Sequence, residues 1–189
     1  YEFAVFDDGT GTALYAAGSF TAAGGVPAAN IAKWNGTSWS ALGTGLNGIA
    51  RALAVFDDGS GAALYAGGVF TTAGGGAAVR IARWNGTSWS ALGSGLNDAV
   101  VCLAALPNGD VVAGGYFTTS GGVVTNHIAR WDGTSWSALG GGMNIGGRVT
   151  ALTALANGDV VAGGYFTTAG GVSANGIARW NGTSWSPLG

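Results

Sequence analysis

A cation stands directly before a tryptophan at four places in this chain: Lys33-Trp34, Arg83-Trp84, Arg130-Trp131 and Arg179-Trp180. Four such cations could form a ring of positive charge for an anionic ligand. The structural alternative is that each stem packs along a strand edge while its head pairs with a turn aspartate or an aromatic face. We favour the second, because a side chain repeated in every unit ordinarily serves the unit. A second tryptophan follows each first one five residues on, at Trp39, Trp89, Trp136 and Trp185. Eight indoles could offer sugar-stacking platforms, but their fixed places in the repeat point to packing.

The acids offer little chemistry. Asp7-Asp8, Asp57-Asp58, Asp110 and Asp159 lack the alternating oxygen ligands of a calcium loop and read as turn formers. A glycosidase needs two facing carboxyls, yet Glu2 is the sole glutamate and every aspartate except Asp98 falls in an expected turn. His127 and Cys102 are the only residues of their kinds. The histidine is expected in a solvated loop, and the cysteine as a small buried apolar group that can form no internal disulfide. We therefore expect no catalytic residue, no metal site and no cofactor. Charged residues make up 8% of the chain and the net charge is −2, so there is no basic footprint for nucleic acid. No run of apolar residues is long enough to predict a membrane span. A start at Tyr1 without Met reads as a mature product or an excised piece. Asn35, Asn85 and Asn181 open N-G-T triplets that read as turns and, in a glycosylating pathway, as acceptor sites.

The elements that position these residues are written as repeats. First tryptophans are spaced 50, 47 and 49 residues apart, and a small doublet ends 16 residues before each: Ala17-Gly18, Gly67-Gly68, Gly114-Gly115 and Gly163-Gly164. Length varies in two places only. "FDDGTGTALYAAG" and "FDDGSGAALYAGG" shorten by three residues to "LPNGDVVAGG" and "LANGDVVAGG", and the joint between units lengthens by two before the fourth. Insertions concentrate at exposed turns, so these places mark connections. Within the second unit the pattern predicts four strands, at Ala52–Phe56, Ala63–Phe70, Ile81–Trp84 and Ser88–Leu92. Asn85-Gly86 predicts a two-residue type I′ turn between the last two. Helix is excluded, because 38 glycines interrupt every window and no window has helical periodicity. With 48% hydrophobic residues, the chain is nonetheless folded.

Repeats of 47–50 residues holding four antiparallel strands predict an all-β fold, a β-propeller of four four-stranded blades. We expect a single domain over 1–189, with blades near 1–46, 47–96, 97–143 and 144–189. The doublet and the tryptophan pair resemble the kelch type of propeller repeat. There, Gly-Gly closes the second strand, an aromatic residue lies on the third and a Trp on the fourth. Trp34, Trp84, Trp131 and Trp180 stand where the aromatic residue belongs, and Trp39, Trp89, Trp136 and Trp185 where the Trp does. The wording also resembles Gly-rich propeller repeats of secreted or surface bacterial proteins, which implies a secreted or cell-surface location. Kelch-like families bind proteins or carry enzymes such as galactose oxidase. The Tyr, His and Cys copper ligands of that enzyme have no counterpart set around the lone His127 and Cys102.

If a ligand face exists, topology brings the second-to-third strand connections together with the joints between units. Asn30, Arg80 and His127, with Asn47, Asn97 and Asn144, are the candidate binding-face residues there. Because the repeat frame runs from a first strand to a fourth, four blades could close as a ring or form half of an eight-bladed homodimer. A head-to-tail fibre or a piece of a longer array are the other expectations. The functional expectation is a noncatalytic extracellular scaffold or a protein-binding, self-assembling module, with a glycan-binding propeller as the alternative.

Overall fold

The computed structural model describes residues 2–144 and 146–188, so the expected chain ends at Tyr1 and Gly189 lie outside the described residues. The chain divides into two compact units, Tyr1–Gly95 and Leu96–Gly189. Each unit holds two four-stranded antiparallel sheets, and the described residues contain no helix. The first sheet comprises Glu2–Asp7, Thr12–Ala17, Ile31–Trp34 and Trp39–Ala41. The second comprises Ala50–Asp57, Ala62–Gly68, Ile81–Trp84 and Trp89–Ala91. The second unit repeats the order with Val100–Ala105, Val111–Gly115, Ile128–Trp131 and Trp136–Ala138. Its other sheet is Arg148–Ala154, Val160–Tyr165, Ile177–Trp180 and Trp185–Pro187. In every sheet the strands pair in chain order.

Two turns differ from the sequence reading. The last hairpin is not closed by a two-residue type I′ turn: Trp84 pairs with Trp89, leaving four residues between them, and the Asn85 N–H donates to the Ser88 carbonyl. Only Gly86 has a positive φ, 101°. Asn85 acts through its side chain instead, its Oδ1 accepting the Thr87 and Ser88 N–H groups at 3.0 and 2.9 Å. This is the local turn mimicry in which Asn competes with the main chain. The pair of positive φ values falls in a hairpin that the sequence reading left as connection. Thr72–Ala73 pairs with Gly76–Ala77 around Gly74 and Gly75, at φ 59° and 83°. The other three repeats carry the same small hairpin.

The doublet has a steric cause. Opposite it, the first strand carries a register shift between Ala50 and Ala52, between Val100 and Cys102, and between Val149 and Ala151. The extra residue bends that strand's carbonyl onto its partner. A Cβ at Gly68, Gly115 or Gly164 would stand 2.1, 2.1 and 2.2 Å from a main-chain oxygen. No other residue fits there.

Each unit's core lies between its two sheets. In the first unit, Phe6, Tyr15, Ile31 and Leu42 of one sheet meet Leu53, Leu64, Ala82 and Trp84 of the next. In the second unit, Val112, Ile128 and Leu139 meet Val149, Val160, Ala178 and Trp185. Period-2 alternation explains the division. On Ile31–Trp34 and Ile128–Trp131 the Ile and the cation share the face turned to the other sheet of the unit, while on Ile81–Trp84 and Ile177–Trp180 the Ala and the Trp share that face. Full burial of a side chain such as Ile31 or Leu64 contributes about 1.5–3 kcal/mol, which is why single sheets stack.

Candidate functional site

The cations before the first tryptophans all reach a turn carboxylate. Lys33 Nζ lies 2.5 Å from Asp8 Oδ2, and Arg83 Nε 3.5 Å from Asp58 Oδ2. Arg130 Nε lies 2.6 Å from Asp110 Oδ2, and Arg179 pairs with Asp159. In the first unit the longer turns close over these pairs. Tyr15 and Tyr65 donate their hydroxyls to Asp8 and Asp58 at 2.7 and 2.6 Å, while Lys33 also reaches Thr10 and Arg83 reaches Ser60 and the Gly61 carbonyl. Burial opposes ionisation of Asp8, but hydrogen bonds from Lys33, Thr10 and Tyr15 outweigh it and hold the carboxyl well below the usual carboxylate range. The same balance at Asp58 lowers it too.

The shorter turns of the second unit leave the cations open. Val112 and Val161 replace the tyrosines opposite Arg130 and Arg179, and the clasp is an asparagine, with Asn108 and Asn157 donating to Asp110 and Asp159 at 2.6 and 2.9 Å. The side chains of Arg130 and Arg179 are 44% and 42% exposed, against 13% and 15% for Lys33 and Arg83. The three-residue length change therefore decides whether a repeat buries its cation or presents it.

The six candidate binding-face residues are occupied by structure. Asn30, Arg80 and His127 are at one repeat position, with φ of 61°, 68° and 73°, and Gly176 takes φ 78° in the fourth repeat. Their carbonyls accept the N–H groups of Gly18, Gly68, Gly115 and Gly164, and their own N–H groups donate to Phe20, Phe70, Phe117 and Phe166. The position is a left-handed corner that re-aims the chain into the third strand, and Asn and His tolerate it better than most side chains. Asn30 Nδ2 donates to the Leu46 carbonyl at 2.8 Å, and Arg80 donates to the Val69 carbonyl. His127 is buried rather than solvated. Burial lowers its pKa, contacts with the Tyr116 and Gly115 backbone partly opposing, and its Nδ1 has no hydrogen-bond partner.

Asn47 and Asn97 clip the small hairpin of the repeat that follows. Asn47 Oδ1 accepts the Thr71 and Thr72 N–H groups at 2.8 and 2.9 Å, and its Nδ2 donates to Thr71 Oγ1 at 2.9 Å. Asn97 repeats this with Thr118 and Thr119 at 2.9 and 3.0 Å, and Asn144 Oδ1 accepts the N–H groups of Thr167 and Thr168. Every tryptophan is buried or half-buried and paired across its hairpin, ring centroids 5.3–5.5 Å apart. Trp89 and Trp185 also donate their indole N–H to the carbonyls of Leu42 and Leu139, at 3.0 and 2.8 Å. Cys102 lies against the second unit's core, where burial pushes its thiol up to about 12.

One cluster escaped the sequence reading. Arg148 stacks 3.9 Å from the Tyr165 ring centroid and 5.5 Å from that of Tyr116, both rings being exposed. The available signal was "GGYF", which places a tyrosine after the doublet in the third and fourth repeats only.

Four-stranded antiparallel sheets repeated in tandem, each contributing one face to a core shared with its neighbour in the unit, define a propeller-type repeat protein. A family model described as a β-propeller domain of unknown function (DUF5122) matches residues 106–131 and 155–183, both within the second unit. No curated protein and no solved structure matches the chain.

Proposed function

We propose that the chain is a noncatalytic propeller module of kelch-like type that assembles with further copies of itself through its sheet faces. One comparison within the repeat carries the reading. Ile31 and Ile128 are fully buried by the sheet that follows them, whereas Ile177, at the same position in the fourth repeat, is 41% exposed. Leu188, counterpart of the buried Leu42 and Leu139, is 42% exposed. On the first sheet, Phe3 and Val5 are 60% and 63% exposed, where their second-repeat counterparts Leu53 and Val55 pack into the core.

These are opposite faces of the repeat. Phe3 and Val5 belong to the face that elsewhere receives a preceding sheet, and Ile177 and Leu188 to the face that elsewhere receives a following one. A second copy supplies each with the surface that the repeat already uses. Contiguous apolar area of this kind marks an interaction site. Because the two faces differ, the contact is heterologous, and it closes into a ring or propagates as a fibre according to the rotation per contact. The noncatalytic reading is supported by the use of the acids, since Asp8, Asp58, Asp110 and Asp159 are each committed to a cation and a turn.

Sedimentation velocity over a wide concentration range tests the reading. The wild-type chain should exceed its monomer mass of 18.5 kDa as concentration rises, and Phe3→Asp should restore 18.5 kDa. A wild-type chain that stays at 18.5 kDa throughout would overturn self-assembly.

A further inference from the structure

The two units treat one equivalent place differently. In the first unit, the turn after Asp7 folds onto the last hairpin turn of the second sheet, and a Cβ at Gly86 would stand 2.6 Å from the Asp8 carbonyl oxygen. Trp84, behind that turn, is buried. In the second unit the corresponding turn is three residues shorter, and nothing lies within 4 Å of a Cβ built at Gly182, the counterpart of Gly86. The space left between the third and fourth sheets is a cavity of about 370 Å³. Leu106, Leu139 and Trp180 supply apolar lining, and Asn108, Asn157 and Arg130 supply polar groups. That size falls at the lower end of small-molecule sites.

The lining selects a ligand class. Arg130 is neutralised by Asp110, so the site holds no net charge with which to favour an anion. The Arg130 Nε lies 2.6 Å from that carboxylate, and the guanidinium side chain remains partly exposed. Asn108 and Asn157 each use one amide hydrogen on the neighbouring aspartate and keep the other. N–H donors of Arg130, Asn108 and Asn157 thus stand beside an indole and two leucines, and a hydroxyl oxygen accepts from such donors without bringing charge. A hydroxyl both donates and accepts, and a ring with hydroxyls at its edge and C–H groups on its face matches both halves of the lining. We propose that this cavity binds one neutral pyranose ring, either a free sugar or the terminal residue of a glycan. Closure of the equivalent place by the Asp8 turn confines the site to the second unit's pair of sheets. The proposal is independent of self-assembly.

The test uses the full chain labelled with ¹⁵N, titrated with the methyl pyranosides of glucose, galactose and mannose, and with their disaccharides. The Trp180 and Trp84 indole N–H signals are followed. At least one glycoside should shift Trp180 saturably and leave Trp84 in place, with a dissociation constant on the order of 1–10 mM, as expected for so small a ligand. Tighter binding of a disaccharide assigns the site to a glycan terminus, and equal binding assigns it to a free sugar. Arg130→Gln, on an exposed side chain, should weaken binding about tenfold. Grafting the longer turn, Asp7–Ala13, in place of Pro107–Asp110 should abolish binding by closing the cavity, while Phe3→Asp should bind like wild type. The proposal falls if no sugar moves Trp180 at about 100 mM, if benzoate moves it and sugars do not, or if Arg130→Gln binds undiminished.

Discussion

Removing the Asn47 side chain tests the idea that the joint between repeats is held by side-chain clips. Asn47→Ala deletes three hydrogen bonds, two accepted from the Thr71 and Thr72 N–H groups and one donated to Thr71 Oγ1, all within 2.8–2.9 Å. The main-chain bond from the Asn47 N–H to the Thr72 carbonyl stays. Asn47 is exposed, so water partly replaces what is lost, and each bond is worth about 0.5 kcal/mol, the low end of the usual range. The sum is about 1–2 kcal/mol, felt locally by the small hairpin. Amide exchange measures it directly: protection at Thr71 and Thr72 should fall about tenfold, with little change in the core strand Ala62–Gly68. Asn47→Asp keeps an acceptor for both N–H groups and should retain most of the protection. Asn97→Ala should repeat the result at Thr118 and Thr119 in the second unit. If the alanine variants leave protection intact, or if Asn47→Asp loses as much as Asn47→Ala, the clip does not hold the hairpin.

Two further outcomes follow from the geometry. Gly68→Ala places a methyl group 2.1 Å from the Ile49 carbonyl and should cost about 1–3 kcal/mol in a urea titration. Gly76→Ala, where the nearest atom is 3.7 Å away and the other three repeats carry Val, should stay within about 0.5 kcal/mol, and equal losses would refute the steric account. His127 has a folded-state pKa below its usual 6.5, so on acidification the unfolded chain binds the proton first and stability falls as pH drops below about 6.5. His127→Asn, which the equivalent Asn30 shows to fit the left-handed corner, should flatten that dependence below about pH 6.5 in thermal melts. An unchanged slope would assign it to other groups.

The strands and their order were legible because their causes are local and repeated four times. Alternation on Ile81–Trp84 assigns two faces without any knowledge of the neighbours, and glycine and asparagine mark the ends. The exact turn was not legible. Asn85-Gly86 and Gly74-Gly75 are both good hairpin pairs, and strand pairing gave the left-handed pair of residues to the second. The corner was not legible for a related reason. Asn30, Arg80 and His127 differ in side chain, yet the position they share requires a φ that several residues can adopt.

Local sequence thus determined that this protein is an array of four antiparallel sheets, since turn chemistry and period-2 burial act within a few residues. Tertiary structure decided what each repeat presents. Whether a cation is enclosed, as at Lys33, or open, as at Arg130, depends on how far a turn reaches toward the hairpin of the next sheet. The cavity beside Trp180 is the absence of three residues seen from a neighbouring sheet. No residue encodes it alone, because its walls come from segments some fifty residues apart that meet only when one sheet covers the next.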